Sequence, residues 1–146
     1  MNFNMSKLSI YATLVKCCEL EKREQRLEAL RQNGNPAMWA VLKHMFDPNI
    51  KFLLPKGTPP YDPLEFDEPG RLYVEARRLY LFVEGGNTII TQQKREALFI
   101  SLLENINKDD ALLLLAMKEK KSPIKGLTKN LVATAFPGLL PDEQTS

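Results

Sequence analysis

The distribution of proline most limits what this chain can fold into. Six of its ten prolines fall between residues 47 and 70. Each lacks the backbone N–H that a helix needs and disfavours helix in the residue before it. This Pro-rich segment, 47–70, is therefore predicted to be a loop without regular helix, with a short extended piece around residues 50–54. The segment is acidic through Asp62, Glu65, Asp67 and Glu68, which argues against its contact with phosphate groups.

Before the Pro-rich segment, apolar residues recur three and four apart, as on one face of a helix. Ser6 is predicted to cap a first helix, and the charged stretch 19–31 is a second helix or a bent continuation of the first. Asn35 and Pro36 predict the start of a third helix, because asparagine accepts a free N–H there and proline has none to lose.

After the Pro-rich segment, four more helices are predicted. The fourth spans residues 71–84, and Thr91 and Asn107 are the expected caps of the fifth and sixth. Residues 112–117 of the sixth are apolar all round, which is typical of a central helix packed on several sides. The last helix is predicted over residues 126–135.

Composition indicates one globular domain. The chain has 146 residues, of which 44% are hydrophobic and 26% charged, with a formal net charge of +2. The longest apolar run, 111–117, is far shorter than the roughly 18 residues of a membrane span, and the N-terminus lacks the pattern of a secretory signal. We expect an all-α, compact single-domain bundle of six to seven helices over 1–146, with its core at about 6–141, a polar tail at 142–146 and a cytoplasmic location.

Few residues in this chain could support catalysis. His44, the one histidine, lies in an apolar helical pattern and is expected to pack there. Cys17 and Cys18 are adjacent and cannot join distant segments or complete a zinc site, so one is expected to be buried and the other incidental. Asp109 and Asp110 stand at a predicted helix start, where carboxylates offset the helix dipole. No phosphate-loop, zinc-protease or calcium-loop motif is present, so we expect no enzyme activity, no metal and no cofactor.

The balanced net charge hides a lysine-rich stretch. Five lysines and one acid, Glu119, fall between residues 118 and 129, and the next acid is Asp142. Two hydroxyl residues, a glycine and the start of the last predicted helix lie in the same stretch, a combination that suits DNA phosphates. The alternative interpretation is that these lysines are solvated residues at the end of a helix. The predicted DNA-binding residues are Lys118, Lys120, Lys121, Ser122, Lys125, Gly126, Thr128 and Lys129.

Two stretches, taken together, resemble a known family. The first is NPAMWAVLKHMFD at residues 35–47, followed by IKF at 50–52. The second is KDD at 108–110, then a Leu/Met-rich helix, a loop with Gly126, and PGLLP at 137–141. In this order they resemble the N-terminal helical DNA-binding domain of ATP-dependent DNA ligases, particularly those of large tailed phages, over about residues 8–141.

The resemblance implies an all-helical domain that grips duplex DNA around a nick, mainly through backbone contacts along the minor groove. It places the loop before the last helix and the start of that helix, here residues 118–129, among the DNA-facing parts. The lysine-x-aspartate-glycine nucleophile motif of the ligase adenylation domain is absent from this sequence. The resemblance therefore implies DNA binding without the sealing reaction.

Two functions follow as hypotheses. We expect a phage-encoded, non-catalytic protein in the host cytoplasm that binds double-stranded DNA, nicked or intact, through phosphate contacts. The alternative is a protein-interaction module of the same fold that binds a phage or host protein in replication, transcription or the virion. The acidic stretch 61–68 favours this alternative, and a large exposed patch around Tyr61, Leu64 and Phe66 would support it.

Overall fold

Helices make up the regular structure of this chain. The computed structural model describes residues 8–141. Its α-helices are α1 (Ile10–Cys18), α2 (Arg23–Asn33), α3 (Pro36–Phe46), α4 (Arg71–Glu75), α5 (Gln92–Asn105), α6 (Lys108–Lys118) and α7 (Lys129–Ala135), and a 3₁₀ helix (Ala76–Phe82) continues α4. No strand lies within the described range, so the predicted all-α class is confirmed. The predictions for residues 1–7 and for the tail 142–146 fall outside it.

Side-chain caps begin three helices where the sequence predicts them. Asn35 Oδ1 accepts the Met38 N–H at 2.9 Å at the start of α3. Thr91 Oγ1 accepts the Lys94 N–H at 3.1 Å at the start of α5. Asn107 begins α6 in the same way. The first N–H groups of a helix have no acceptor within it, so these side chains decide locally where each helix begins.

The first and fourth helices differ from their predicted bounds. The cap of α1 is Ser9, whose Oγ accepts the Ala12 N–H at 3.0 Å, and Ser6 lies before the described range. The helix predicted over 71–84 is α-helical only to Glu75. The 3₁₀ turns that follow end at Phe82, because the carbonyls of Leu81 and Phe82 accept hydrogen bonds from elsewhere in the chain.

The Pro-rich segment has no helix and is held in place by hydrogen bonds. Its predicted extended piece is confirmed at Phe52, which forms an isolated antiparallel bridge with Val83. The Leu53 N–H donates to the Phe82 carbonyl and the Glu84 N–H donates to the Lys51 carbonyl, both at 2.8 Å. Because the prolines prevent a helix in this segment, its backbone groups need other hydrogen-bond partners, and this pairing supplies them.

The core is built around α6. This helix packs against α1, α3 and α5, and its side chains at Ala111, Leu113, Leu114 and Met117 are fully buried. The expectation of a central helix is therefore confirmed, although Leu112 is 50% exposed. None of the helices described is long and apolar enough to cross a membrane.

The charged stretch 19–31 forms a separate helix that docks through polar contacts. Leu30 is the one buried residue of α2. Arg31 donates from Nε to the Ala135 carbonyl and from its terminal nitrogen to the Thr134 carbonyl, each at 3.1 Å. Arg23 donates to Asn130 Oδ1 at 2.7 Å. Arginines of α2 thus satisfy acceptors of α7, including those that its C-terminal end leaves open.

Candidate nucleic-acid interface

Two of the predicted DNA-binding lysines point into the protein. Lys118 is 8% exposed, and its Nζ donates to the Pro55 carbonyl at 2.9 Å and pairs with the Glu119 carboxylate. Lys120 Nζ donates to the Asp47 carbonyl at 2.8 Å and to the His44 carbonyl. These acceptors lie in the Pro-rich segment and at the end of α3, where a helix leaves carbonyls without partners. Both lysines therefore join chain segments, and their ammonium groups are not free for phosphates.

The turn that ends α6 explains why Lys120 points inward. Lys120 has a left-handed backbone with φ 61°. Its N–H donates to the Met117 carbonyl at 2.9 Å, and the Lys121 N–H donates to the Ala116 carbonyl at 3.0 Å. This is the Schellman ending of a helix, which normally places glycine at the left-handed position. It reverses the chain directly beside the end of α3.

The remaining predicted residues are spread along the loop after α6. Lys121 and Lys125 are exposed, and Lys129 is half-buried as the first residue of α7. Ser122 was expected to offer its hydroxyl to a phosphate, but the hydroxyl donates to the Ile124 carbonyl at 3.2 Å. The loop therefore exposes two lysines and keeps its serine for a local turn.

The predicted helix start at Gly126 is wrong. Gly126 has φ +88°, and a Cβ built there would lie 3.5 Å from the Cys18 carbonyl oxygen. A left-handed residue cannot belong to the helix, and Thr128 is the actual cap of α7, accepting the Leu131 N–H at 3.1 Å. Because α7 has only seven residues, its N-terminus is a weak basis for the anion site predicted there.

A groove between two distant segments holds cations that the sequence interpretation missed. It encloses about 420 Å³ between residues 48–56 and the end of α6. We call it the basic groove and define it by Lys51, Phe52, Lys56 and Lys120. The sequence signal was present, since four of the five acidic residues of the Pro-rich segment lie at 62–68 and its two lysines precede those four. The summed charge of the segment does not show that its lysines and its acidic residues at 62–68 are separated.

Carboxylates around the basic groove are already engaged. Hydrogen bonds from Lys118 and from the Gly57 N–H lower the pKa of Glu119. Burial raises the pKa of Asp47, but bonds from the Asn49 N–H and Lys43 outweigh it, and the net pKa is lowered. Both groups are therefore ionised at neutral pH. Glu119 pairs with Lys118, which also lines the groove, and Asp47 pairs with Lys43.

The groups considered for catalysis are buried or bonded within the protein. His44 Nδ1 lies 2.7 Å from the Ala40 carbonyl, and burial lowers its pKa, as expected for a packed histidine. Cys17 and Cys18 are both buried, so the expectation that one is incidental is wrong. Burial raises the pKa of each thiol to about 11, which leaves neither as a nucleophile at neutral pH. Within residues 8–141, no group of His, Cys, Asp or Glu side chains could hold a metal ion.

Asp110 lies in the first turn of α6, as predicted, and makes a further contact outside its helix. Its Oδ1 reaches α1 and accepts the Tyr11 N–H at 2.8 Å. Its side chain is fully buried. The capping of α6 is done by Asn107, which also donates to Asp67 of the Pro-rich segment at 3.2 Å.

The fold and groove define an all-α protein with a lysine-lined groove beside its central helix. Residues 13–123 match a family described as "Family of unknown function (DUF6433)", and the chain belongs to this family. No curated protein and no solved structure matches the chain. The likeness to ligase N-terminal domains stays a prediction.

Proposed function

We propose that this protein binds double-stranded DNA through its phosphate backbone and catalyses no reaction. The observation that carries this proposal is the charge of the loop after α6. Lys121 and Lys125 are exposed there, and no acidic residue occurs from 120 to 141. Glu119, the acid just before this stretch, is paired with Lys118.

The available cations favour binding without base recognition. Lysine ammonium groups act as point charges, whereas base readout commonly uses the two-pronged arginine fork. The terminal nitrogens of Arg23 and Arg31 are bonded to α7. The proposed contacts therefore recognise the shape and charge of the duplex.

The test is fluorescence anisotropy of labelled intact and nicked duplexes at several salt concentrations. Contacts to about three to five phosphates give a slope of about −3 to −5 for log K against log salt. The Lys121→Gln/Lys125→Gln variant should reduce the size of that slope by about 2. Absence of binding to both duplexes at low salt would overturn the proposal, and a preference for the nicked duplex would support the ligase likeness.

A second function, binding to a phage or host protein, is favoured by Phe66. Its side chain is 67% exposed and lies between Glu65 and Asp67, although Tyr61 and Leu64 of the expected patch are half-buried. Pull-downs with the wild type and Phe66→Ser, with and without nuclease, test this function. A protein that survives nuclease and is lost with Phe66→Ser would support it, and capture that depends wholly on nucleic acid would contradict it.

A further inference from the structure

We propose that the basic groove holds one nucleic-acid strand, with Lys51 and Lys56 binding backbone phosphates beyond those reached by the loop after α6. The inference rests on the proposed DNA binding and extends it to a second, separate chain segment. It assigns a binding role to the first part of the Pro-rich segment, whose overall acidity argued against contact with phosphates.

The wall that carries the two lysines is fixed in place. The Lys118 ammonium donates to the Pro55 carbonyl at 2.9 Å, and the Gly57 N–H donates to Glu119 Oε2 at 2.9 Å. On the other side of this wall, the backbone around Phe52 pairs with Val83. A charged wall that is already ordered loses little conformational entropy when a ligand binds.

Two cations of the basic groove, Lys51 and Lys56, have no ion-pair partner within the described part of the chain. Lys51 and Lys56 are exposed, and no ion pair to either ammonium is found among residues 8–141. The Lys120 ammonium donates to two carbonyls, and the nearby Asp47 carboxylate offsets part of its charge. Lys51 and Lys56 therefore supply the available positive charge of the groove, since Glu119, which also lines it, is paired with Lys118.

The apolar part of the groove favours a nucleic-acid strand, rather than a bare anion, as its ligand. Ile50, Phe52 and Leu54 line it and are half-buried, and the Lys120 ammonium lies 5.6 Å from the centre of the Phe52 ring. Inorganic phosphate has no apolar group that could pack on such a surface. A nucleic-acid strand alternates charged phosphates with sugars, whose carbon atoms can pack on apolar side chains in a duplex. The bases of a single strand can also pack on such side chains.

The experiment compares three charge-matched double variants with the wild type. They are Lys51→Gln/Lys56→Gln in the basic groove, Lys121→Gln/Lys125→Gln in the loop after α6, and Lys94→Gln/Lys108→Gln as a control on exposed helix positions. Anisotropy with duplex and single-stranded DNA is measured at several salt concentrations. The groove variant should reduce the size of the duplex salt slope by about 2, while the control leaves it unchanged. Lys51→Arg/Lys56→Arg should retain wild-type affinity because the charge is kept.

Each outcome separates this inference from the proposed function. If the wild type binds DNA and the groove variant matches the control in affinity and slope, the groove inference is overturned and DNA binding stands. If the wild type binds neither DNA form at low salt, the proposed function fails as well. Inorganic phosphate is titrated in parallel by NMR, and saturation of the Lys51 and Phe52 resonances at concentrations comparable to those of DNA phosphate would overturn the assignment to a strand. Unchanged thermal midpoints verify that all variants are folded.

Discussion

At the scale of single residues, Asp110 is the group whose burial has the clearest energetic consequence. Its Oδ1 accepts the Tyr11 N–H, and its Oδ2 is buried with no hydrogen-bond partner among residues 8–141. Burial raises the pKa of this carboxyl group from 3.8 to about 6, and the Asp109 charge adds to the increase. The folded protein therefore holds a proton on Asp110 at a pH where the unfolded chain has released it.

This raised pKa predicts a pH dependence of stability. Because the folded pKa is above the unfolded one, the contribution of Asp110 is fully present below pH 4 and is lost as the pH rises to about 6. The loss corresponds to about 3 kcal/mol of unfolding free energy. Urea unfolding between pH 4 and 7 should show this loss in the wild type and not in Asp110→Asn.

Asp109→Asn is the matched control, since it removes the neighbouring carboxylate and leaves Asp110 in place. It should retain most of the pH dependence. An identical pH dependence in the wild type and Asp110→Asn would show that Asp110 titrates in the folded protein as it does in the unfolded chain.

At the scale of secondary-structure elements, the end of α6 combines two opposing effects on stability at one residue, Lys120. Lys120 adopts φ 61°, which costs a residue with a Cβ about 1–2 kcal/mol. Its ammonium meanwhile donates to carbonyls at the end of α3, and bonds from a charged group each contribute about 1.5–3 kcal/mol. The second effect is the larger, so the position tolerates lysine where glycine is usual.

Two substitutions at this position separate the effects. Lys120→Ala removes the ammonium and keeps the strained backbone, whereas Lys120→Gly removes both. We expect both variants to be less stable than the wild type, with Lys120→Gly the more stable of the two by about 1 kcal/mol. Chemical unfolding measures the difference, and a Lys120→Gly variant more stable than the wild type would contradict the anchoring role.

At the scale of the whole molecule, α6 joins the elements before and after the Pro-rich segment. It contacts α1 and α3, which precede the segment, and α5, which follows it, so a cavity in this helix weakens several interfaces together. Leu114 is fully buried, and Leu112 in the same helix is 50% exposed. The two leucines have the same chemistry and local helix propensity, and they differ in tertiary environment.

Leu114→Ala should therefore reduce the free energy of unfolding by about 2–5 kcal/mol, through lost transfer energy and the cavity left behind. Leu112→Ala is the matched control and should cost less than about 1 kcal/mol. Thermal or urea unfolding of both variants checks the prediction. Equal losses in the two variants would mean that Leu112 is buried in solution.

Much of the helical architecture was predictable because its signals are local. Asn35, Thr91 and Asn107 cap helices by bonding to N–H groups two or three residues away, a geometry that short sequences encode. The fourth helix was predicted too long because its last carbonyls bond to Leu53 and Arg95, partners that no local pattern identifies. The basic groove could be predicted only in part. Its lysines come from segments about 65 residues apart in sequence, and no local pattern shows that these segments meet.

The sequence by itself determined the all-α class, the starts of α3, α5 and α6 and the absence of helix in the Pro-rich segment, since each depends on steric and capping effects within a few residues. Only the tertiary structure decided what each lysine does. Lys118 and Lys120 fall within the lysine-rich stretch like Lys121 and Lys125, but they meet carbonyls of Pro55 and His44 and become anchors. An ammonium group binds whichever acceptor the folded chain brings within reach, and in this fold the inward pair meets the protein's own carbonyls while the outward pair faces solvent.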